Sequence, residues 1–149
     1  MFFYPELLPG MNEVISLVNR KWYKSKKKQY ESRLGLIARA SGVKPMESAH
    51  FAFIFWEKHR QRDPDNITGG ARKILFDALQ GAGILENDGW KQVLSIQSGW
   101  DVDKDKPGIS VYMSEEKLDL DKVWQMELER KSQCLKRKTP KAKMKIKNS

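Results

Sequence analysis

The spacing of apolar residues in the first third of the chain predicts a short strand followed by helix. Met1 to Tyr4 is apolar and predicts a strand, and Pro5 to Gly10, with two prolines and a glycine, predicts a loop. From Asn12 to Ala40 apolar residues recur at helical spacing, which predicts one long helix or two, with Asn12 as the N-cap and Ser41-Gly42 at the end. The apolar positions of this region are Val14, Leu17, Val18, Trp22, Tyr30, Leu34, Ile37 and Ala38.

The middle of the chain predicts a buried strand and then an amphipathic helix. Ala49 to Trp56 is apolar on both faces and rich in aromatic residues, which is typical of a central strand covered on both sides. We interpret His50, on this strand, as a structural residue rather than a ligand. Asp65 or Asn66 is predicted to cap a helix from Ile67 to Gln80, which the glycines that follow it end. The apolar face of this helix consists of Ile74, Leu75, Ala78 and Leu79.

Two further strands and a last helix follow. Trp90 to Gln97 and Gly108 to Met113 alternate in part and predict strands, and the polar, turn-rich connection between them predicts that they form a hairpin. Ser114 begins a helical segment. From Lys136 onward the chain is basic with few apolar residues, so we expect a domain of residues 1–135 and a flexible tail of residues 136–149. The apolar face of the last helix consists of Leu118, Val123, Trp124 and Leu128.

The charge is concentrated in two segments. The chain of 149 residues has a net charge of +9. Arg20 to Lys28 contains six Lys or Arg residues and no acid, Lys136 to Ser149 contains seven and no acid, and the remainder has a net charge of −4. This pattern favours a polyanionic partner, nucleic acid above all. The alternative is a solvated basic tail that aids solubility, with Trp22 packed in the core and its neighbouring lysines in solvent.

The small number of cysteine and histidine residues limits the cross-links and metal sites that the chain can form. With Cys134 as its one cysteine and two histidines, the chain can form neither an internal disulfide nor a zinc site of the usual kind. Any metal should therefore be a hard cation on oxygen ligands. No apolar run approaches the roughly 18 residues of a membrane helix, so we expect a cytoplasmic protein that does not bind a membrane.

Three acids are candidate ligands for such a cation. Asp63 and Asp65 flank a proline directly after the buried strand, and Asp88 lies in the turn after the following helix. Clustered carboxylates hold Mg²⁺, which activates water and neutralises charge at a phosphodiester. Lys73 lies near the same helix face as Asp65 and could contact a phosphate. The simpler interpretation makes the acids turn and cap residues and Lys73 a solvated lysine.

Several segments together resemble the RusA-like Holliday junction resolvases, a family common in bacteria and their phages. They are Arg-Asp-Pro-Asp-Asn from Arg62, Lys-Ile-Leu-Phe-Asp-Ala-Leu from Lys73, and Ala-Gly-Ile-Leu-Glu-Asn-Asp from Ala82. The clear match covers residues 62–91, and Leu8 to Asn12 resembles the family's N-terminal turn. The interval from the acid pair to Lys73 is longer than in the founding member by about one helical turn, which preserves the face. Asn87 stands where the founding member has an acid.

The resemblance implies a fold and an activity. The fold is α+β, with a small mixed sheet of about four strands packed with helices. The activity is a homodimeric endonuclease that uses Mg²⁺, with Mn²⁺ as a possible substitute, to nick two opposed strands of a four-way DNA junction in bacterial or phage-infected cytoplasm. The family's catalytic, metal-binding acids fall on Asp63, Asp65 and Asp88, its essential lysine on Lys73, and a secondary acid on Asp77.

The same hypothesis assigns a path for DNA along the cationic residues. We expect the tail to add affinity that falls steeply with salt. Two alternatives remain: a non-catalytic nucleic-acid-binding protein, and a metal-dependent nuclease acting on flaps or RNA. The expected DNA-binding residues are Arg20, Lys21, Lys24, Lys26, Lys27, Lys28, Lys58, Arg60 and Arg62.

Overall fold

The computed structural model describes residues 1–138 and shows a four-stranded mixed sheet with helices on both faces. The prediction of an α+β fold with about four strands is confirmed. The predicted tail lies outside the described residues from 139 onward, and its first three residues continue the last helix. In chain order the elements are β1 (Phe2–Tyr4), α1 (Met11–Leu17), α2 (Lys21–Ala40), β2 (Ala49–Glu57), α3 (Pro64–Gly81), β3 (Val93–Val102), β4 (Gly108–Ser114) and α4 (Leu120–Lys138).

Strand β2 is the centre of the sheet, whose order is β1-β4-β2-β3. Its alternating side chains serve two cores, as the period of two in a strand requires. Phe51, Phe53 and Phe55 face the larger core with residues of α2 and α3, while Ile54 and Trp56 face a smaller core beneath α4. The predicted central strand, covered on both sides, is therefore confirmed.

The predicted hairpin is wrong. Strand β3 pairs with β2 in parallel, and β4 pairs with β2 in antiparallel fashion on its other side. The connection between them crosses the end of β2, where the Asp103 N–H donates to the carbonyl of Glu57 at 2.8 Å. Helix α3 is the crossover between the two parallel strands. The strand also begins at Val93 rather than Trp90, because residues 90–92 form a turn.

Three helix starts also differ from the predictions. The last helix begins at Leu120 rather than at Ser114, which is the last residue of β4. Helix α1 follows Gly10 as its N-cap, and Asn12 lies inside the helix. Its backbone N–H is satisfied instead by the side chain of Asn66, whose Oδ1 accepts at 2.8 Å. Helix α3 starts at Pro64 with Asp63 as its N-cap residue, so Asp65 is in the first turn and does not cap. Proline suits a first helical position because it has no N–H to leave unpaired.

Two predicted apolar faces are each displaced by one residue at a single position, whereas Leu34 and Ala38 of α2 and Val123 of α4 are buried as predicted. On α2, Tyr23 is buried while Trp22 is 55% exposed. On α4, Leu128 is exposed and the fully buried position is Glu127. The carboxylate can occupy that place because Tyr112, Ser110 and Arg130 hydrogen-bond to it.

No helix within residues 1–138 is long and apolar enough to cross a membrane.

Candidate functional site

The acid pair lies at the beginning of α3, immediately after the loop that leaves the central strand. Both carboxylates are exposed, and within residues 1–138 neither Asp63 nor Asp65 forms a side-chain hydrogen bond or ion pair. Asp63 occupies the N-cap position, yet its side chain makes no capping bond. Hydrogen-bonded capping therefore does not account for either acid, although the helix dipole favours negative charge there.

Asp88 lies beside the middle of the same helix. The turn after α3 folds back so that Asp88 Oδ2 is 3.5 Å from the ammonium group of Lys73. The same ammonium group lies 3.0 Å from Asp77 Oδ1. The structure thus brings the predicted lysine together with one of the predicted acids, and with the secondary acid.

The three acids are not gathered around one point. In the described part of the chain, no three His, Cys, Asp or Glu side chains form a group placed to hold a metal ion. The eight residues from Asp65 to Lys73 span about 12 Å along the helix axis, and Asp88 is at the Lys73 end. The oxygen donors and the unpaired state of Asp63 and Asp65 suit a hard cation such as Mg²⁺. Residues 1–138 of a single chain therefore do not form a complete coordination group.

A network of charges connects this helix to α2. Asp77 Oδ2 lies 2.8 Å from the ammonium group of Lys27, which also pairs with Glu31. Burial raises the pKa of Asp77, but hydrogen bonds from Lys27 and Lys73 outweigh burial and lower it. The hydrogen bond to Asp77 in turn raises the pKa of Lys73. Lys73 is therefore held as a cation, and the basic helix α2 is fixed next to it.

The cations expected to contact DNA divide into two groups. Three are paired: Lys27 as above, Arg60 with Asp101 at 3.8 Å, and Arg62 with Glu57 at 2.7 Å. Arg62 also donates to the carbonyl of Leu8 at 2.8 Å, so its contacts fasten the end of β2 to the loop before α1. Lys26 lies over the ring of Tyr30. Those that are exposed and form no ion pair with another described residue are Arg20, Lys21, Lys24, Lys26, Lys28 and Lys58.

A cleft of about 330 Å³ lies at the carboxyl ends of the parallel strands β2 and β3. Asp63, Arg60, Trp100 and Asp101 line it. The indole N–H of Trp100 donates to the hydroxyl of Thr68 at 3.0 Å, which ties the cleft to α3. Sequence reasoning missed Trp100 and Asp101 because it placed them at the tip of a hairpin. A prediction that β2 and β3 pair in parallel would have found both residues, because the carboxyl ends of parallel strands lie at one edge of the sheet.

The site therefore combines two unpaired carboxylates, a lysine between two aspartates, and free cations on the neighbouring helix. A scan against protein-family models found no match for this chain, and a search of curated proteins found none. The resemblance to resolvases rests on the residue motifs alone.

Proposed function

We propose that this protein is a Mg²⁺-dependent endonuclease that cuts branched DNA, similar to the RusA-like resolvases, and that it resolves Holliday junctions by paired nicks. The observation that supports the proposal most directly is the pair of exposed carboxylates without partners, Asp63 and Asp65, on the helix whose Lys73 meets Asp88. Unpaired neighbouring carboxylates repel each other, and a bound cation relieves that repulsion.

In this proposal Asp63, Asp65 and Asp88 would hold the metal, which supplies an activated water and neutralises charge on the phosphodiester. Lys73 carries a positive charge that hydrogen bonds to Asp77 maintain. That ammonium group is mostly exposed, so it can contact a phosphate oxygen and stabilise charge that develops there. Asp77 positions Lys73 by pairing with it.

DNA would approach along the exposed cations of α2 and Lys58, which offer phosphate contacts without reading sequence. The Lys27–Asp77 pair keeps this helix next to the site. Paired nicks in opposed strands need two sites, and a homodimer provides them, since a symmetric pair presents the same site twice.

Asp65→Asn tests the proposal. We expect the variant to bind a synthetic four-way junction in EDTA at least as tightly as the parent, because one negative charge near phosphate is gone. We expect it not to cut the junction in Mg²⁺, as measured on a denaturing gel. Asp121→Asn is the matched control, because Asp121 lies in the first turn of α4 on the other face of the sheet; it should cut like the parent. An Asp65→Asn variant that cuts normally removes Asp65 from the site and ends the proposal.

A non-catalytic nucleic-acid-binding protein is the second candidate. The observation that favours it is that no metal-holding group of three side chains forms within residues 1–138. If this candidate is right, the parent binds the junction but cuts nothing in Mg²⁺ or Mn²⁺. Comparing a junction, a flap, a linear duplex and an RNA hairpin as substrates distinguishes a resolvase from a nuclease of broader selectivity.

A further inference from the structure

The turn that follows Asp88 presents a tryptophan to solvent. Trp90 is 98% exposed, which makes it the most exposed large apolar side chain within residues 1–138. A tryptophan that packs in a core or an interface removes about 150–250 Å² of surface from water. Because Trp90 lies in solvent, the fold gains no stabilisation from burial of this side chain.

Turn formation does not explain the indole. The Gln92 N–H donates to the carbonyl of Gly89 at 3.1 Å, which makes Trp90 and Lys91 the two central residues of a β-turn. Gly, Pro, Asn, Asp and Ser are the residues that favour such positions. The turn is anchored at its far end, because Gln92 is buried and its carbonyl accepts the Ala49 N–H at 2.8 Å. A fixed backbone therefore holds the indole in solvent.

Charged residues of both signs lie near Trp90 along the chain. Lys91, the next residue, is exposed, and its nearest acid, Glu47, is 4.0 Å away and exposed as well. The Cα atom of Trp90 is within about 8 Å of that of Asp88, since two peptide units separate them. Asp88 in turn contacts Lys73. The exposed indole thus adjoins Lys91 in the sequence and lies on the turn that carries Asp88 of the candidate site.

We propose that Trp90 is a stacking platform for an unpaired base of nucleic acid, and that Lys91 contacts the adjoining phosphate. Every base offers a π-face, and stacking on an aromatic side chain contributes roughly 1–3 kcal/mol per base. A protein face would instead need a contiguous apolar patch around the indole, whereas the neighbours of Trp90 in the turn are a glycine and a lysine. The inference rests on the proposed function for the class of its ligand, but it does not require that the protein cuts.

Fluorescence anisotropy of a labelled 12-nucleotide oligothymidylate, in EDTA without divalent metal, measures the contribution of the indole. Trp90→Ala should lose roughly 5- to 150-fold in affinity, which corresponds to 1–3 kcal/mol, and Trp90→Phe should retain most of the affinity. Lys91→Ala should weaken binding and reduce the salt slope by about one unit or less. Leu128→Ala, which removes a 58% exposed apolar side chain from the opposite face of the sheet, should bind like the parent.

Two results overturn the inference. Trp90→Ala can bind the oligonucleotide as tightly as the parent, or it can lose as much affinity for a fully paired duplex of the same length as for the oligonucleotide. In the first case, a change of the free protein from dimer to monomer in sedimentation would place the indole against a second copy of the chain. Since the assay contains no metal, a parent that fails to cut junctions refutes the nuclease alone and leaves this test intact.

Discussion

At the scale of single residues, the most constrained acid of the described chain is Glu127, which lies under α4 rather than at the candidate site. It is fully buried, and its carboxylate accepts hydrogen bonds from Tyr112 at 2.7 Å, Ser110 at 2.6 Å and Trp56 at 3.1 Å. Arg130 pairs with it at 2.9 Å. These donors lie on two strands of the sheet and on α4 itself, so one carboxylate joins the helix to the sheet.

Removing that carboxylate should destabilise the fold. Glu127→Ala leaves four buried or half-buried donors without their acceptor, and breaking a buried pair from one side costs about 3–5 kcal/mol. The midpoint of thermal unfolding, followed by circular dichroism, should fall by about 10 °C. Glu129→Ala, an exposed acid two residues away, should change the unfolding free energy by no more than about 0.5 kcal/mol. Equal effects of the two changes would show that the buried network contributes no stability.

The same residue makes the fold sensitive to acid. Burial raises the pKa of Glu127, but hydrogen bonds from Arg130, Ser110 and Tyr112 outweigh burial and lower it below the ordinary value of 4.5. A carboxyl group with a lowered folded pKa contributes its full stabilisation above the unfolded value and loses it as the pH falls through the folded value. The difference in urea-unfolding free energy between the parent and Glu127→Gln should therefore be constant above pH 5 and shrink as the pH falls below 4.5. A difference that stays constant down to pH 3 would contradict this.

At the scale of elements, α3 depends on its glycines for close contact with the loop before α1. A Cβ atom on Gly70 would lie 2.5 Å from the carbonyl carbon of Gly10 and 2.7 Å from the Met11 nitrogen, both of them backbone atoms. The Asn66–Asn12 hydrogen bond lies at the same junction. The loop could make room only by moving away from the helix that carries the acids.

Gly70→Ala should therefore destabilise the protein by about 2 kcal/mol or more, as overpacking does. Gly81→Ala is the matched control on the same helix, because a Cβ there meets no atom within 4 Å. It should raise stability by up to about 1 kcal/mol through helix propensity. Urea unfolding of the two variants measures both effects. Similar effects of the two substitutions would mean that the helix and loop do not pack as closely as the structure shows.

The sequence could predict those elements that depend on local interactions, and it could not predict features that depend on distant partners. The apolar run of β2 and the glycines near the end of α3 mark those features by themselves, and β2 and the C-terminal end of α3 were predicted to within one residue. Sheet order is set by distant partners, so the alternation in β3 and β4 could not show that β2 lies between them. The one-residue displacement to Tyr23 on α2 has the same origin, because helical spacing tolerates either neighbour until tertiary packing selects one.

The candidate site divides in the same way. Asp63 and Asp65 were visible because a proline-containing acidic turn directly follows a buried strand. The contact of Lys73 with Asp88 required the turn after α3 to fold back, which a motif resemblance suggested but spacing could not establish. The cleft beside Trp100 and the pairing of Arg62 with Glu57 depend on strand order and the path of the loop, so local patterns carried no sign of them.

At the scale of the whole molecule, the sheet separates two layers with different tasks. Helices α2 and α3 cover one face, with α1 packed against α3, and this side carries the acids, the Lys73 network and the free cations of α2. Helix α4 covers the other face, fastened by Glu127 and by Lys131, whose ammonium group lies 3.7 Å from the centre of the Trp56 ring. The positive charge is therefore concentrated in two parts of the chain, α2 and the residues after α4.

If the protein binds nucleic acid as proposed, salt dependence separates the contribution of residues 139–149 from that of α2. Residues 139–149 contain four lysines and no acid. If all four contact phosphates, a chain that ends at Lys138 should show a slope of log affinity against log salt for duplex DNA that is shallower by up to about 3 to 4 units. Lys21, Lys24 and Lys28, changed together to Gln in the full chain, should reduce the slope by up to about 3 units. Full-length protein with the four C-terminal lysines changed to Gln should match the shortened chain, because the effect comes from charge and not from length. An unchanged slope in the shortened chain would assign the electrostatic affinity to the α2 side of the molecule alone.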